Sequence, residues 1–365
     1  MPPNGNALCA PRAPGSISIM KAIVIRRFGP PEVMSYEDVP EPAPRPGEIL
    51  IRIHAATVNR VLDVGLRAGK PVQPGITLPL IPGVDCAGVI EALGAGVTRW
   101  RVGDRVAVAG MMPLDVCAQD EADYHGPIGM MGIRRPGGFA EQVALPACAA
   151  VAVPAGLGFH QAAVIMRHAP TAWNLLCNVA RLKAGETVLV MGAGGNLGTV
   201  GIQIAKSVIG ATVIAAAGSD DRVQRGLDLG ADHGINYNAR DIRDAVMEIT
   251  GGRGVNVLYD NIANPKILPR AFKALGREGR LVTAGAHGGP DVSIDFRHLY
   301  DSRITIMGMP GHRAEDRATC FAAAAEGKIK AQIAHVLPLS QAVAAHRMVE
   351  SDEAQGKIVL DPTLG

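Results

Sequence analysis

The chain has 365 residues, 48% of them hydrophobic and 19% charged, with a formal net charge of +2. That length supports two domains with separate cores, and the composition excludes a polar disordered chain. The balanced charge lacks a basic tract, which points away from nucleic acid, and no run reaches the ~18 apolar residues of a membrane span.

Residues 1–19 read as a flexible extension without the apolar core of a signal peptide, so a cytoplasmic protein is expected. Residues 20–153 read as a β-rich unit, with short strands at Lys21–Ile25, Glu48–Ile53, Ala87–Leu93, Arg105–Ala109 and Ala140–Pro146 punctuated by Gly and Pro. Residues 154–334 form the second unit. It opens with a helical stretch in which Pro170 is expected to interrupt Val164–Leu176. Apolar runs at Thr187–Met191, Thr212–Ala217, Val255–Tyr259, Arg280–Ala284 and Ile304–Met307 then alternate with helical segments, which predicts a doubly wound parallel α/β sheet. Residues 335–365 are expected to return to the first unit through a helix over Ser340–Glu350 and a strand at Lys357–Leu360. The six cysteines (Cys9, Cys86, Cys117, Cys148, Cys177, Cys320) are scattered without a Cys-x-x-Cys pair, which predicts reduced thiols.

The most informative stretch follows Thr187–Met191. There Gly192, Gly194, Gly195 and Gly198, with Asn196 and Leu197 between them, turn the chain from a buried strand into a helix. Such a turn lets backbone approach a pyrophosphate and offers it free helical N–H groups. The next strand ends in Gly218 and Ser219, not in the acid that would take a ribose 2′-OH. Ser219, Arg222 and Tyr237 are candidates to surround a 2′-phosphate, so NADPH is the expected cofactor. Asp220 and Asp221 oppose that reading, and a solvated Arg222 paired with Asp221 is its alternative.

The order of motifs resembles the medium-chain dehydrogenase/reductase superfamily. The matching residues are Lys21-Ala22-Ile23, Pro82-Gly83-Val84-Asp85-Cys86-Ala87-Gly88, Gly103-Asp104-Arg105-Val106, Gly137-Gly138-Phe139-Ala140-Glu141, Thr171-Ala172-Trp173, the glycine turn and Gly356-Lys357-Ile358-Val359-Leu360. The resemblance implies a GroES-like catalytic domain followed by a Rossmann domain. Val84 stands where zinc-dependent relatives carry a histidine ligand, while Asn59 and Arg167 fall near two other ligand positions. These residue types predict no metal. Only Cys117 remains in the Met111–Met131 stretch that replaces the structural zinc lobe, and Asp115, Asp120, Glu121, Asp123 and His125 read as a solvated acidic loop.

The pattern is similar to the zinc-independent quinone oxidoreductase and enoyl reductase branch. This implies NADPH-dependent hydride transfer to a quinone or an activated alkene (an enone or enoyl thioester). Asn59, Arg60, Arg167 and His168 are the catalytic candidates it points to, with a turn-forming Asn and a carbonyl-bonded helical His as bland alternatives. Thr171, Asn261, Gly285, Ala286, His287 and Met309 are candidates to line the nicotinamide end, although Asp260 and Asn261 also suit a helix cap. Two competing functions are a zinc-type alcohol dehydrogenase with substituted ligands and a low-activity NADPH-binding structural or nucleic-acid-associated protein. The strand over Arg303–Met307 is expected at a sheet edge, which predicts a homodimer.

Overall fold

The computed structural model describes residues 18–70, 74–115, 126–351 and 354–365. The extension at 1–17 and the expectations attached to Cys117, Asp120, Glu121, Asp123 and His125 therefore lie outside the described residues.

The first unit is built on β3 (Glu48–Thr57), a ten-residue strand whose Ile49, Ile51 and Ile53 are buried. Around it lie β1 (Ile19–Ile25), β2 (Met34–Pro40), β4 (Asp85–Leu93), β5 (Arg105–Ala109), β6 (Met111–Pro113), β7 (Ile128–Met130), β8 (Gln142–Pro146) and β9 (Val151–Ala152). Antiparallel pairing puts Ala55 opposite Ala87, so the end of β3 faces the start of β4 and Thr57 meets Asp85. The short helix α1 (Gly65–Arg67) follows β3.

The second unit holds β10 (Thr187–Met191), β11 (Thr212–Ala217), β12 (His233–Asn236), β13 (Val255–Tyr259), β14 (Leu275–Thr283) and β15 (Thr305–Gly308). All pair in parallel in the order β12-β11-β10-β13-β14-β15. The order reverses between β10 and β13, and open α/β sheets bind ligands at the carboxyl ends of strands at such a point. Helices α3 (Asn196–Gln203), α4 (Asp220–Asp228), α5 (Ile242–Ile249), α6 (Leu268–Phe272) and α7 (Phe296–Asp301) connect these strands, and α8 (Ala314–Ala325) follows them.

The last segment supplies β16 (Ile333–Pro338), α9 (Ala342–Ser351) and β17 (Lys357–Asp361). Strand β17 pairs with β3, Val359 facing Thr57 and Leu360 facing Ala56, so the end of the chain completes the sheet of the first unit.

Between the two sheets runs α2 (Phe159–Trp173), which buries Ala162, Ala163, Ile165, Met166 and Ala169. Pro170 does not interrupt it. The proline only forfeits its own N–H, and the chain carries on as a wider π-helical turn over Asn174–Val179. Burial of the alanine face between β3–β5 on one side and α3 and α8 on the other outweighs the lost hydrogen bond. The expectation of uniformly reduced thiols also needs correction: Cys86, Cys177 and Cys320 are free, but Cys148 is disulfide-bonded.

Candidate functional site

The glycine turn is fixed by close approach. Gly192 has φ +67°, a conformation an L side chain resists, and a Cβ on Gly198 would lie 2.2 Å from the Gly192 carbonyl oxygen. Helix α3 therefore starts hard against β10, at Asn196. The Tyr259 hydroxyl donates to the Leu197 carbonyl at 3.2 Å. From α4, Arg225 donates to the Gly194 carbonyl at 3.0 Å, and the stem of Arg222 lies over Gly194. No sequence signal singled out Arg225, since its partner is 31 residues away.

A cavity of about 500 Å³ opens at the carboxyl end of β11, lined by Gly218, Ser219, Arg222, Tyr237, Asn238 and Lys266 among others. Ser219, Arg222 and Tyr237 were expected together. Asn238 and Lys266 were not, because the parallel sheet brings the loops after β12 and β13 alongside the end of β11. Asn238 donates to the Gly218 carbonyl at 2.7 Å. Asp220 accepts from Asn236 at 2.8 Å, and the Ser219 side chain makes no cap bond to α4.

At the other end of the crevice the Asn261 Oδ1 accepts from the Ala284 N–H at 3.0 Å, while its Nδ2 is buried without a partner. Asp260 caps the following turn, accepting from the Ala263 N–H at 2.8 Å, and burial raises its carboxyl above the usual range. The Met309 N–H donates to the Thr283 carbonyl at 3.0 Å, fixing the loop after β15 beside that after β14. In the latter loop Gly285 is half-buried and packs near His287 Nε2, while Ala286 and His287 are exposed. Thr171 contacts His312 Nδ1 at 3.4 Å. The glycine turn, the polar cavity and the orphaned Asn261 amide together fit a bound dinucleotide.

Where the two units meet, the end of β3, the start of β4, β17 and α2 bring ionisable groups together in the interior. Asp85 accepts from the Thr57 N–H and from its hydroxyl, each at 2.7 Å. The Asn59 Nδ2 donates to Asp63 at 2.9 Å and to Asp85 at 3.1 Å, and its Oδ1 accepts from the Lys357 ammonium. Asp63, Asp85, Asn59 and Lys357 are each at most 5% exposed. Burial, reinforced by the Asp85 charge, pushes the Asp63 carboxyl up to about 7. Burial likewise pulls Lys357 down to about 8 against the attraction of Asp85. Asn59 is thus a junction in this network.

Arg167 and His168 sit on the α2 face beside the network, half-buried. Arg167 Nε and His168 Nε2 are shielded from solvent without hydrogen-bond partners. Desolvation lowers the Arg167 pKa, opposed by the charges of Asp85 and Asp63. His168 is pushed well below its usual range, by burial first and then by Lys357, Arg167 and His287, which keeps the imidazole neutral. A carbonyl partner for His168 Nε2, the bland expectation, is not present. Arg60 points outward and is exposed, apart from its neighbour Asn59. Sequence reasoning did not find Lys357 or His312 as members of the site. His312 is pushed down to about 4 by burial and Arg317, whose Nε donates to it at 3.0 Å.

Zinc does not fit this donor set. Val84 is apolar, Asn59 offers an amide already bonded to Lys357, and Arg167 contributes a cation. Among the described residues no three His, Cys, Asp or Glu side chains converge as metal ligands.

Two family models match the chain: an alcohol dehydrogenase GroES-like domain over residues 45–155 and a zinc-binding dehydrogenase over residues 196–326. A 2-haloacrylate reductase of Burkholderia sp is 30% identical, covering 94% of this chain and 99% of the relative. The quinone oxidoreductase of Rattus norvegicus is 31% identical, covering 94% and 98%. The crystal structure of an NAD-dependent alcohol dehydrogenase superposes with a TM-score of 0.85 at 34% identity, covering 94% of this chain and 99% of that one. The chain belongs to the medium-chain dehydrogenase/reductase superfamily, in its quinone oxidoreductase branch, and is an oxidoreductase of a pyridine-nucleotide-dependent family.

Proposed function

We propose that this chain uses NADPH to reduce a quinone or an activated alkene, an enone or an enoyl thioester, without zinc. The observation that carries the reading is the cavity at the end of β11. There Arg222 and Lys266 supply cations, and Ser219, Tyr237 and Asn238 supply hydrogen-bonding groups, where an NAD-selective site would hold an acid. The curated relatives named for quinones and for a haloacrylate support the acceptor class.

Gly192 to Gly198 would cradle the pyrophosphate, and Thr171, Asn261, Gly285, Ala286, His287 and Met309 would border the nicotinamide. When bound, the coenzyme supplies a hydride. The protein's own work is to orient the acceptor and draw charge onto its oxygen. Arg167 is the donor suited to that oxygen, and the neutral His168 beside it offers a second hydrogen bond. Asn59 holds the two carboxylates in place beneath them.

In this proposal residues 20–153 form the catalytic domain, 154–334 the Rossmann domain and 335–365 the return, and two copies of the chain associate through the edge strand β15 in the cytoplasm. Among the described residues no helix is long and apolar enough to cross a membrane.

The test is a steady-state assay of the purified protein with NADPH and NADH against a benzoquinone, a cyclic enone and a crotonyl thioester, with and without EDTA. NADPH-dependent turnover that survives chelation is expected. A tenfold preference for NADH, or alcohol oxidation that requires stoichiometric zinc, would overturn the reading in favour of an alcohol dehydrogenase.

A further inference from the structure

Arg167 has an unusual status for a half-buried arginine. Its Nε is shielded and unpaired, and its side chain makes no ion pair or hydrogen bond to any described residue. Of the two carboxylates whose charge it feels, only Asp63 keeps an oxygen, Oδ1, without a partner, and Arg167 does not reach it. Asp85 receives the Thr57 N–H, the Thr57 hydroxyl and the Asn59 amide, and Asp63 receives the Asn59 backbone and side-chain N–H groups. They also act on the Lys357 ammonium, held through Asn59. A guanidinium partly withdrawn from water with unclaimed N–H groups is costly unless an anion completes it. Its planar fork fits a carboxylate, donating two parallel N–H···O bonds to it.

Deepening the reading above and resting on it, we propose that Arg167 is the anchor for a free carboxylate conjugated to the substrate's double bond, so that the acceptors are α,β-unsaturated acids. A neutral quinone or ester would leave the guanidinium sharing the Asp85 charge with Lys357; a 2-enoate supplies a counter-charge of its own. The chemistry balances. The hydride of NADPH forms a C–H bond at the β-carbon, and the π pair moves to the α-carbon and carboxylate. One proton from water then closes the α-carbon, giving the saturated acid and NADP⁺. The extra negative charge develops on the carboxylate oxygens, where Arg167 would stabilise it more than it stabilises the starting acid. The local charge supports this assignment, because the high pKa of Asp63 leaves that carboxyl partly protonated near neutrality, so Asp85 faces the two cations Lys357 and Arg167.

The experiment compares an acrylate-type acid, its methyl ester and a benzoquinone as acceptors with NADPH, in the wild type, Arg167→Lys and Arg167→Met. Calorimetric binding of the corresponding saturated acid to the NADP⁺ complex is measured alongside. The wild type should favour the acid over the ester at least tenfold in kcat/KM. Arg167→Met should lose at least a hundredfold on the acid, in kcat as well as KM, and lose saturated-acid binding, while its loss on the quinone, whose oxygen the same guanidinium polarises, is at least tenfold smaller and the melting temperature stays near wild type. Arg167→Lys should recover part of the acid activity. Equal use of acid and ester by the wild type, or equal loss on all acceptors in a folded Arg167→Met, would overturn the carboxylate assignment while leaving the reductase reading intact. Absence of turnover with every acceptor, with no NADPH binding, would instead sink the underlying reading.

Discussion

The Lys357 ammonium donates to the Asn59 side-chain oxygen across 298 residues of sequence. This contact joins the last strand to the end of β3 and puts a cation within the influence of two buried carboxylates. Replacing Lys357 with Met should destabilise the protein by roughly 3–5 kcal/mol, because removing one partner leaves buried charge uncompensated. Adding Asp63→Asn should return part of that loss. Urea denaturation of the two single variants and the double variant reads the coupling, and strict additivity would contradict it.

Asp63 gives a pH dependence with a definite sign. Its carboxyl titrates near 3.8 when exposed and near 7 when folded. Between those values the native state holds a proton that the unfolded chain has released, so this group's contribution to stability falls as pH rises across that window and is constant outside it. Subtracting the melting curve of Asp63→Asn from that of the wild type at pH 4 to 7 should expose a decline on the order of a few kcal/mol. A difference that rises with pH would reject the assignment.

Coenzyme choice should follow the β11 cavity. Ser219→Asp places an acid where a 2′-phosphate would lie and should raise the KM for NADPH about tenfold or more while sparing NADH, since one close like charge costs on the order of 1–2 kcal/mol near the surface. Lys266→Glu should move the ratio in the same direction. Initial rates at varied coenzyme concentration check both.

Gly198→Ala should abolish coenzyme binding before it abolishes folding. The added Cβ would need space 2.2 Å from the Gly192 carbonyl, so α3 must retreat from the turn it supports. Fluorescence titration with NADPH should show at least a tenfold weaker complex in a protein with native-like circular dichroism.

Self-association should depend on β15, which ends the parallel sheet and leaves Ile306 41% exposed. An unpaired strand edge of this kind invites a second copy. Light scattering of the wild type should give the mass of two chains, and Ile306→Arg should lower it. A wild-type mass of one chain would exclude the dimer.

What the sequence by itself determined is the local grammar. Runs such as Thr187–Met191 and Thr212–Ala217 are buried on both faces, so their apolarity is continuous and legible, and the glycines after the first have no other economical use. The partly polar β2 and β12 carry no such signal and were not anticipated, nor was the passage of α2 through Pro170, which packing between the first sheet and the helices α3 and α8 decides. Arg222 and Tyr237 stood out downstream of the predicted strand Thr212–Ala217, but Lys266 joined them only through the strand order. Arg167 and His168 were visible as residue types at an expected position. That their buried nitrogens lack partners is decided by the packing around α2, and antiparallel pairing of β17 with β3 holds Lys357 near Asp63 and Asp85. Charge compensation in an interior acts through space, and no spacing along the chain encodes it.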